Sequence, residues 1–389
     1  EGVGIPTDHF VRVVREDPVR EGLLYAGTEF GMYLSFDDGA SWQPFQLNLP
    51  VTPITDLAVR HGDLVVATQG RSFWVLEDLS PLRQLNERTA DADLHLFEPR
   101  PAVLFGPYGA DITYAIGREL DEDGDGTPQE LTLEILDAEG EVLRSLSSRE
   151  EEYRAPNPYS ALRPGAEEPS TIPAEPGMNR WTWDLRAEDP KLVGGEAMWG
   201  TARGPSVPPG SYTVRVSLGD AAREASFEVR PDPTAGVPPE ALEDRYELAR
   251  KVSASLEATH DLLRELASLR EQLDVWEARL EQSAAAERAE PLLERARARI
   301  AELERRLTQP KASGLQDILN YPPQLDAQWL FLQRTVEGKQ GAPSAGARQR
   351  FAELRKELGR AREDYRALLE RPIADLNELV KGSRLPPIS

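Results

Sequence analysis

The chain has 389 residues, no cysteine and a formal net charge of −22 at pH 7. This length predicts two or three domains that each bury a core of their own, and the lack of cysteine excludes disulfides and thiolate metal sites. Residues 1–235 hold 20 Lys and Arg against 41 Asp and Glu, so we expect neither nucleic acid nor anionic lipid as a partner there. No apolar run approaches the roughly 18 residues that a membrane span requires.

Residues 8–80 alternate short β-patterned runs with turns. Four runs, at 10–14, 23–28, 31–36 and 42–47, have the spacing of one β-propeller blade. The pattern then restarts at 54–60, 63–68 and 72–76, without a fourth run. Because a propeller needs roughly four to eight blades to close, we expect residues 1–90 to be the last blades of an incomplete propeller. The remaining blades would belong to the same precursor or to a second chain, and the start at Glu1 rather than Met predicts a processed or partial chain.

One turn in this region has a distinctive sequence, since residues 35–42 read Ser-Phe-Asp-Asp-Gly-Ala-Ser-Trp. The string fits S-x-D-x-G-x-[ST]-W and resembles the Asp-box of BNR repeats, which closes the hairpin between the third and fourth strands of a blade. Its fixed positions are Ser35, Asp37, Gly39, Ser41 and Trp42. An Asp in a tight turn accepts backbone hydrogen bonds, Gly allows a positive φ, and the Trp covers the turn. The resemblance implies a structural role, so we assign no catalytic residue here.

Residues 94–232 contain six or seven short runs with turn signals between them, which predicts an immunoglobulin-like β-sandwich. The expected strands are 111–116, 131–136, 141–146, 180–186, 209–216 and 225–229. The run Pro-Gly-Ser-Tyr-Thr-Val-Arg-Val at 209–216 resembles a strand of FlgD-like immunoglobulin domains. Trp181 and Trp183 share one face of a strand, and we place them in the core rather than on a carbohydrate-stacking surface with Trp199.

From residue 238 the composition changes to helix formers with apolar residues at helical spacing. Helices are expected at 240–282, 287–308, 323–336 and 345–370. Their apolar stripes predict an antiparallel helical bundle over 236–389. This region is nearly neutral, with 25 Lys and Arg against 26 Asp and Glu, so we expect a protein partner to contact the bundle. The predicted fold class is therefore multidomain β plus α: propeller blades, an immunoglobulin-like sandwich and a helical bundle.

A second string supports a family resemblance, because residues 67–78 read Ala-Thr-Gln-Gly-Arg-Ser-Phe-Trp-Val-Leu-Glu-Asp. This string, the Asp-box and the order of the three regions resemble the C-terminal third of large bacterial secreted proteins with sortilin-like (VPS10-like) BNR propellers. In that family His is usual where Gln69 stands. Residues 177–186, Gly-Met-Asn-Arg-Trp-Thr-Trp-Asp-Leu-Arg, also fit. The resemblance implies a secreted, periplasmic or cell-surface location.

One stretch has the start of a metal-binding pattern. Asp121, Asp123 and Asp125, followed by Gly126, mimic the beginning of a calcium loop. Thr132 stands where the bidentate Glu of such a loop belongs, so bound calcium and a solvated hairpin turn remain the two alternatives. The four histidines are dispersed without ligand spacing, and no other cofactor is expected.

A catalytic centre of the sialidase kind would need an Arg cluster, a Tyr with a Glu, and an acidic Asp. The first region offers for these roles Tyr25, Glu29, Tyr33, Arg60 and Arg71. None of them falls in a recognisable catalytic motif. We therefore predict a non-catalytic extracytoplasmic binding or scaffold component that is the C-terminal portion of a larger propeller protein. The alternative is part of a secreted glycosidase or peptidase whose catalytic residues lie in upstream blades.

Overall fold

The computed structural model describes residues 3–106, 109–117, 129–149, 171–193, 202–280, 285–311 and 317–381. Within these ranges, strands predominate up to Arg230 and helices follow from Pro239. Three hydrophobic clusters form the core: one between the first two sheets, one between the next two sheets, and one among the helices. The predicted class, several β-sheets followed by a helical C-terminal region, is confirmed at this level.

Two antiparallel sheets lie at the start of the chain and stack face to face. Their strands are β1 (Val11–Glu16), β2 (Leu24–Thr28), β3 (Met32–Ser35), β4 (Gln43–Pro44), β5 (Ile54–Arg60), β6 (Asp63–Thr68) and β7 (Phe73–Leu76). The first sheet has the order β1-β2-β3-β4 and the second the order β5-β6-β7. Gly27, the partner of Val13, lies against Ile54, and Arg15 Nε donates to the Leu57 carbonyl at 3.0 Å. These contacts show that β1 and β5 run in the same direction.

The structure corrects one predicted strand and adds two helices in this region. The fourth strand, predicted over 42–47, is only Gln43–Pro44. Pro44 has no amide hydrogen to donate, and Leu47 turns the chain away with a φ of +45°. After β7 the chain forms two short helices that no pattern had indicated, α1 (Ser80–Gln84) and α2 (Glu87–Ala90).

Eight further strands form two sheets that share one core. They are β8 (Leu94–Leu96), β9 (Ala102–Val103), β10 (Ala110–Ile116), β11 (Leu131–Leu136), β12 (Val142–Ser147), β13 (Gly177–Trp183), β14 (Gly210–Leu218) and β15 (Ala221–Arg230). The sheet orders are β13-β10-β8 and β12-β11-β14-β15-β9. Trp183 is buried against Tyr212 and Phe227, as predicted for a core residue. The strand predicted over 180–186 ends at Trp183, because Leu185 adopts a φ of +59° and the chain bends there.

Residues from Pro239 onward form helices around a single apolar cluster. They are α3 (Pro239–Leu280), α4 (Ala286–Leu307), α5 (Asp317–Asn320), α6 (Leu325–Glu337), α7 (Ala345–Leu368) and α8 (Ala374–Lys381). The four predicted helices are present, with α3, α4, α6 and α7 each ending within two residues of the prediction. A π-helical turn at Leu369–Ile373 precedes α8, since Pro372 lacks the amide hydrogen that an α-helix would use.

The sandwich and the helices meet along the start of α3. Leu242 and Tyr246 pack into the core of the sandwich, whereas Leu248 and the apolar residues after it pack into the helical cluster. Leu192, from the segment after β13, belongs to the helical cluster as well. The first two turns of α3 therefore join the two parts of the chain.

Candidate functional site

The turn between β3 and β4 closes through its own side chains. Asp37 accepts hydrogen bonds from the Ser41 amide at 2.8 Å and the Ser41 hydroxyl at 2.6 Å, and Ser35 Oγ donates to it at 2.8 Å. These bonds, led by the Ser41 hydroxyl, lower the pKa of Asp37. Gly39 takes a φ of +84°, and its Cα lies beside the ring of Trp42. The five predicted positions thus lie together in one turn, which uses the Asp37 carboxylate internally.

Tyr25, a candidate for a catalytic tyrosine, lies instead in a buried polar network. Its hydroxyl donates to Asp17 Oδ2 at 3.1 Å, and Arg83 Nε lies 3.0 and 3.1 Å from the two Asp17 oxygens. Burial, with the nearby Asp17 carboxylate, raises the pKa of Tyr25 above its ordinary value. Arg20 reaches the same helix by donating to the Leu82 carbonyl at 2.6 Å. The network fastens α1 to the turn before β2, which the sequence had not indicated.

The other catalytic candidates lie toward two different ends of the stacked sheets, with Glu29, Tyr33 and Arg71 toward one end and Arg60 at the other. Tyr33 bonds His9 Nδ1 at 2.7 Å, and Glu29 accepts from Arg12 Nε at 2.8 Å in an exposed ion pair. Arg60 and Arg71 are exposed at opposite ends of the second sheet, one at the end of β5 and the other in the turn before β7. The structure therefore does not bring the five candidates into one centre.

The predicted metal residues Asp121, Asp123 and Asp125 lie outside the described residues, as does Trp199. In the part of the chain that the structure describes, no group of three or more His, Asp and Glu side chains is placed to hold a metal ion. The calcium loop therefore stays a prediction from the sequence.

One side of the second sheet exposes a patch of apolar side chains, which we call the outer face. It consists of Ala58, Val65, Ala67, Phe73 and Val75, which alternate with core residues and pair across the three strands, and the charged Asp56 and Arg60 border it on β5. Phe73 is 76% exposed and Val75 is 54% exposed, although both are strongly apolar. The opposite face packs on the first sheet. A sheet that is apolar on both faces is typical of a layer that is covered on both sides.

The edge of this sheet is also uncovered in the described part of the chain, because β7 pairs with β6 alone. After β7 the chain crosses the end of the stack that holds the turn between β5 and β6, where the Leu79 amide donates to the Gly62 carbonyl at 2.8 Å. It then reaches the first sheet through Arg83 and Asp17. The backbone groups along the outside of β7 thus remain available to a further strand.

One end of the stacked sheets is apolar as well. Since β1 and β5 start at the same end, the turns after β2 and β6 and the connection after β4 all lie there. Large exposed apolar side chains at this end are Phe10, Phe30, Leu47, Val51 and Phe73. Phe73 belongs to both surfaces, so the apolar end continues into the outer face.

The helical region carries a groove of about 580 Å³ between α6 and α7, whose walls include Phe331, Leu332 and Arg350. Arg350 is held at its edge by an ion pair with Glu353 at 2.9 Å. Contact between the helices and a protein partner stays a prediction, since nothing in the groove distinguishes one occupant from another.

A polar cluster at the junction of sandwich and helices was not found from the sequence. Glu337, at the end of α6, accepts from Arg186 Nη1 at 3.1 Å and from the Ser206 amide at 2.8 Å. Arg245 on α3 is 1% exposed, and the charges of both Glu337 and Arg186 act on it. One signal was present: Arg245 comes three residues after Leu242 on the apolar stripe of α3, where a charged residue is unusual.

His260 is a buried titratable group on the same helix. Its Nδ1 accepts from the Val193 amide at 3.1 Å, and burial, with Arg264 nearby, lowers its pKa to about 4. Because the ordinary pKa is 6.5, the unfolded chain binds a proton between these values that the folded chain excludes. The free energy of unfolding should therefore fall as the pH falls from about 6.5 to 4, by about 3 kcal/mol in total.

Urea denaturation at pH 7 and pH 4.5 checks this prediction. We expect His260→Gln, whose amide oxygen can accept the Val193 bond, to remove this share of the pH dependence. The exposed His61, at a φ of +53°, gives the control His61→Asn, which should behave as the wild type. Identical pH dependence in the wild type and His260→Gln would contradict the assignment.

Comparisons with known proteins give no family for the chain, since no family model and no curated protein matches it. Among solved structures, PorZ, a bacterial surface component of the type IX secretion system of Porphyromonas gingivalis, is 16% identical with a TM-score of 0.18. The extracellular domain of a putative hybrid two-component system of B. thetaiotaomicron is 8% identical with a TM-score of 0.17. Each alignment covers 58% of this chain, and 31% and 26% of those chains respectively. Likenesses at these TM-scores carry no argument about fold or function.

Among the helices that the structure describes, none is both long enough and apolar enough to cross a membrane.

Proposed function

We propose that this chain is a non-catalytic binding or scaffold component that acts outside the cytoplasm, and that its first two sheets are the terminal blades of a larger β-propeller. The observation that carries the proposal is the apolar outer face of the second sheet beside the unpaired edge of β7. The first and second sheets already stack through apolar faces. A third sheet of the same kind would continue that stack and cover the outer face.

Two further features support the propeller part of the proposal. The first sheet is a four-stranded antiparallel meander, and the second repeats it with three strands. The turn before β4 has the hydrogen bonds expected of the Asp-box, with Asp37 bound to Ser41. The location outside the cytoplasm, and the FlgD-like character of the sandwich, rest on the sequence resemblance alone.

The chemistry of the surface favours a β-sheet of a polypeptide as its partner. An unpaired edge offers backbone donors and acceptors in a line, and an extended strand satisfies them in register. Phe73 and Val75 lie on the outer face next to that edge, so a covering strand would also need apolar side chains on the same side. The remaining blades, in the same precursor or a second chain, meet both requirements.

The non-catalytic part of the proposal is supported by the separation of the catalytic candidates. Tyr25 is buried and bonded to Asp17, Glu29 is paired with Arg12, and Arg60 and Arg71 lie at opposite ends of the second sheet. Among the described residues, the five candidates are therefore not arranged around one substrate position.

Native material from the source organism tests this proposal. We expect the chain to co-purify with, or remain joined to, further polypeptide that contains Asp-box strings, as seen by intact mass and N-terminal sequencing. The same material should bind a protein without turning over a panel of glycans and peptides. The proposal would be overturned if the purified native material turned over a glycan or a peptide. It would also be overturned if the native chain had no accompanying propeller sequence.

A further inference from the structure

The guanidinium of Arg245 is buried without a hydrogen-bond partner. Its Nε, Nη1 and Nη2 atoms are all inaccessible to solvent, and none of them bonds a group in the described ranges. The residue as a whole is 1% exposed. An arginine carries five N–H donors in a planar fork and stays protonated in proteins. Leaving such a group unpartnered in the interior carries an uncompensated desolvation penalty.

The charges around Arg245 leave it without a counter-ion of its own. Glu337, the carboxylate whose charge acts on Arg245, already accepts from Arg186 at 3.1 and 3.3 Å and from the Ser206 amide at 2.8 Å. Two guanidinium groups therefore share one carboxylate, so the cluster keeps an excess positive charge. Burial lowers the pKa of Arg245, while Glu337 opposes and Arg186 adds to this effect.

Phe105 stacks on the guanidinium of Arg245. Arg245 Cζ lies 4.5 Å from the centre of the Phe105 ring, so the ring covers one face of the guanidinium. The in-plane N–H groups are left uncovered by the ring, and they have no hydrogen-bond partner among the described residues. Phe105 holds this place with a φ of +62°, a conformation that is costly for a bulky residue and tends to occur at functional sites. Phe105 is itself 37% exposed.

We propose that Arg245 binds a carboxylate group through the edge of its guanidinium, at the junction between the sandwich and α3, with Phe105 stacked on its face. A carboxylate matches the planar fork with two parallel hydrogen bonds and supplies the missing negative charge. Such a ligand contacts a residue whose helix packs into both cores, so its binding stabilises the junction. This inference is independent of the propeller assignment, because it involves neither of the first two sheets.

Thermal unfolding of the whole chain in sodium formate, with sodium chloride keeping the ionic strength constant, tests the proposal. We expect the melting temperature to rise with formate and to saturate, as binding to the folded state requires. Titration calorimetry with formate should show a saturable heat in the wild type. The absence of a saturable response in both measurements would overturn the proposal.

Variants of Arg245 separate binding from a structural role. Arg245→Met should abolish the response to formate while leaving the chain at least as stable as the wild type without formate, because an uncompensated buried charge is removed. Arg245→Lys keeps the charge but not the fork, and should weaken formate binding about tenfold or more. The exposed Arg250 on the same helix gives the control Arg250→Met, which should respond as the wild type. An equal response in Arg245→Met and the wild type would overturn the proposal.

The source of the carboxylate is distinguished by a second ligand. A short peptide with a single Glu and a blocked C-terminus presents the same group on a polypeptide. Saturable binding of formate without binding of the peptide identifies a small free carboxylate as the ligand class. Binding of both, lost together in Arg245→Met, identifies a carboxylate that a protein can present.

Discussion

Replacing Arg83 with Met is expected to lower the free energy of unfolding by about 3 to 5 kcal/mol, since removing one partner of a buried ion pair leaves the other charge uncompensated. The Asp17 side chain is fully buried, and Arg83 Nε contacts both of its oxygens. Met preserves the apolar stem of Arg83 and removes only the charge and the donors. The effect is large because three chain segments meet at this one carboxylate.

The pH dependence gives this prediction a second test. Burial disfavours the charge of Asp17, but the hydrogen bonds from Arg83 and from the amides of Arg20 and Val19 outweigh it and lower its pKa. The stabilisation by the pair is therefore present at neutral pH and is lost as the pH falls through this lowered pKa. We expect the difference between Arg83→Met and the wild type to shrink at acidic pH. Chemical denaturation measures this difference, with Arg88→Met at an exposed position as the control. Equal stability of Arg83→Met and the wild type at pH 7 would contradict the prediction.

The second large effect is expected at Glu337, which connects α6 to the segments around β13. Glu337→Ala removes the acceptor of Arg186 Nη1 and of the Ser206 amide, and it leaves Arg186 and Arg245 facing each other without a carboxylate. The Glu337 side chain is mostly buried, so we expect a loss of about 3 to 5 kcal/mol in the free energy of unfolding.

The loss of stability in Glu337→Ala should be confined to one part of the molecule. Hydrogen exchange should increase at the Ser206 amide and along the end of α6, while the first two sheets keep their protection. Glu363→Ala on the exposed face of α7 is the control and should leave stability unchanged. A Glu337→Ala protein as stable as this control would show that the junction does not depend on the carboxylate.

The regular elements were predictable because local patterns determine them. Alternation located β5 and β6 to the residue, and helical spacing located α3 and α7 closely. The short helices were missed for a different reason: α1 has only five residues and α2 only four, too few for a periodic pattern. Their local signals are Pro81 in the first turn of α1 and the capping box between Asn86 and Thr89.

The polar contacts that hold the parts together could not be read from the sequence. Asp17 and Arg83 are 66 residues apart, and Arg186 and Glu337 are 151 residues apart. No spacing rule links residues at such separations, because the fold alone decides which charges meet. The uncovered outer face was predictable only in outline, from the missing fourth run after β7. Its composition, from Ala58 to Val75, became clear once the register of the three strands was known.

We propose that the outer face of the second sheet is a contact surface for a further β-sheet. If it is, the isolated chain should self-associate through this face, and Phe73→Lys with Val75→Lys should prevent the association by placing charges on it. The matched control is Val19→Lys, an exposed apolar residue at the opposite end of the stack.

Light scattering over a concentration series measures this most directly. We expect the wild type and Val19→Lys to exceed the monomer mass of 43.2 kDa as concentration rises, and the double Lys variant to stay at that mass. A well-folded wild-type chain that remains at 43.2 kDa throughout would contradict the claim.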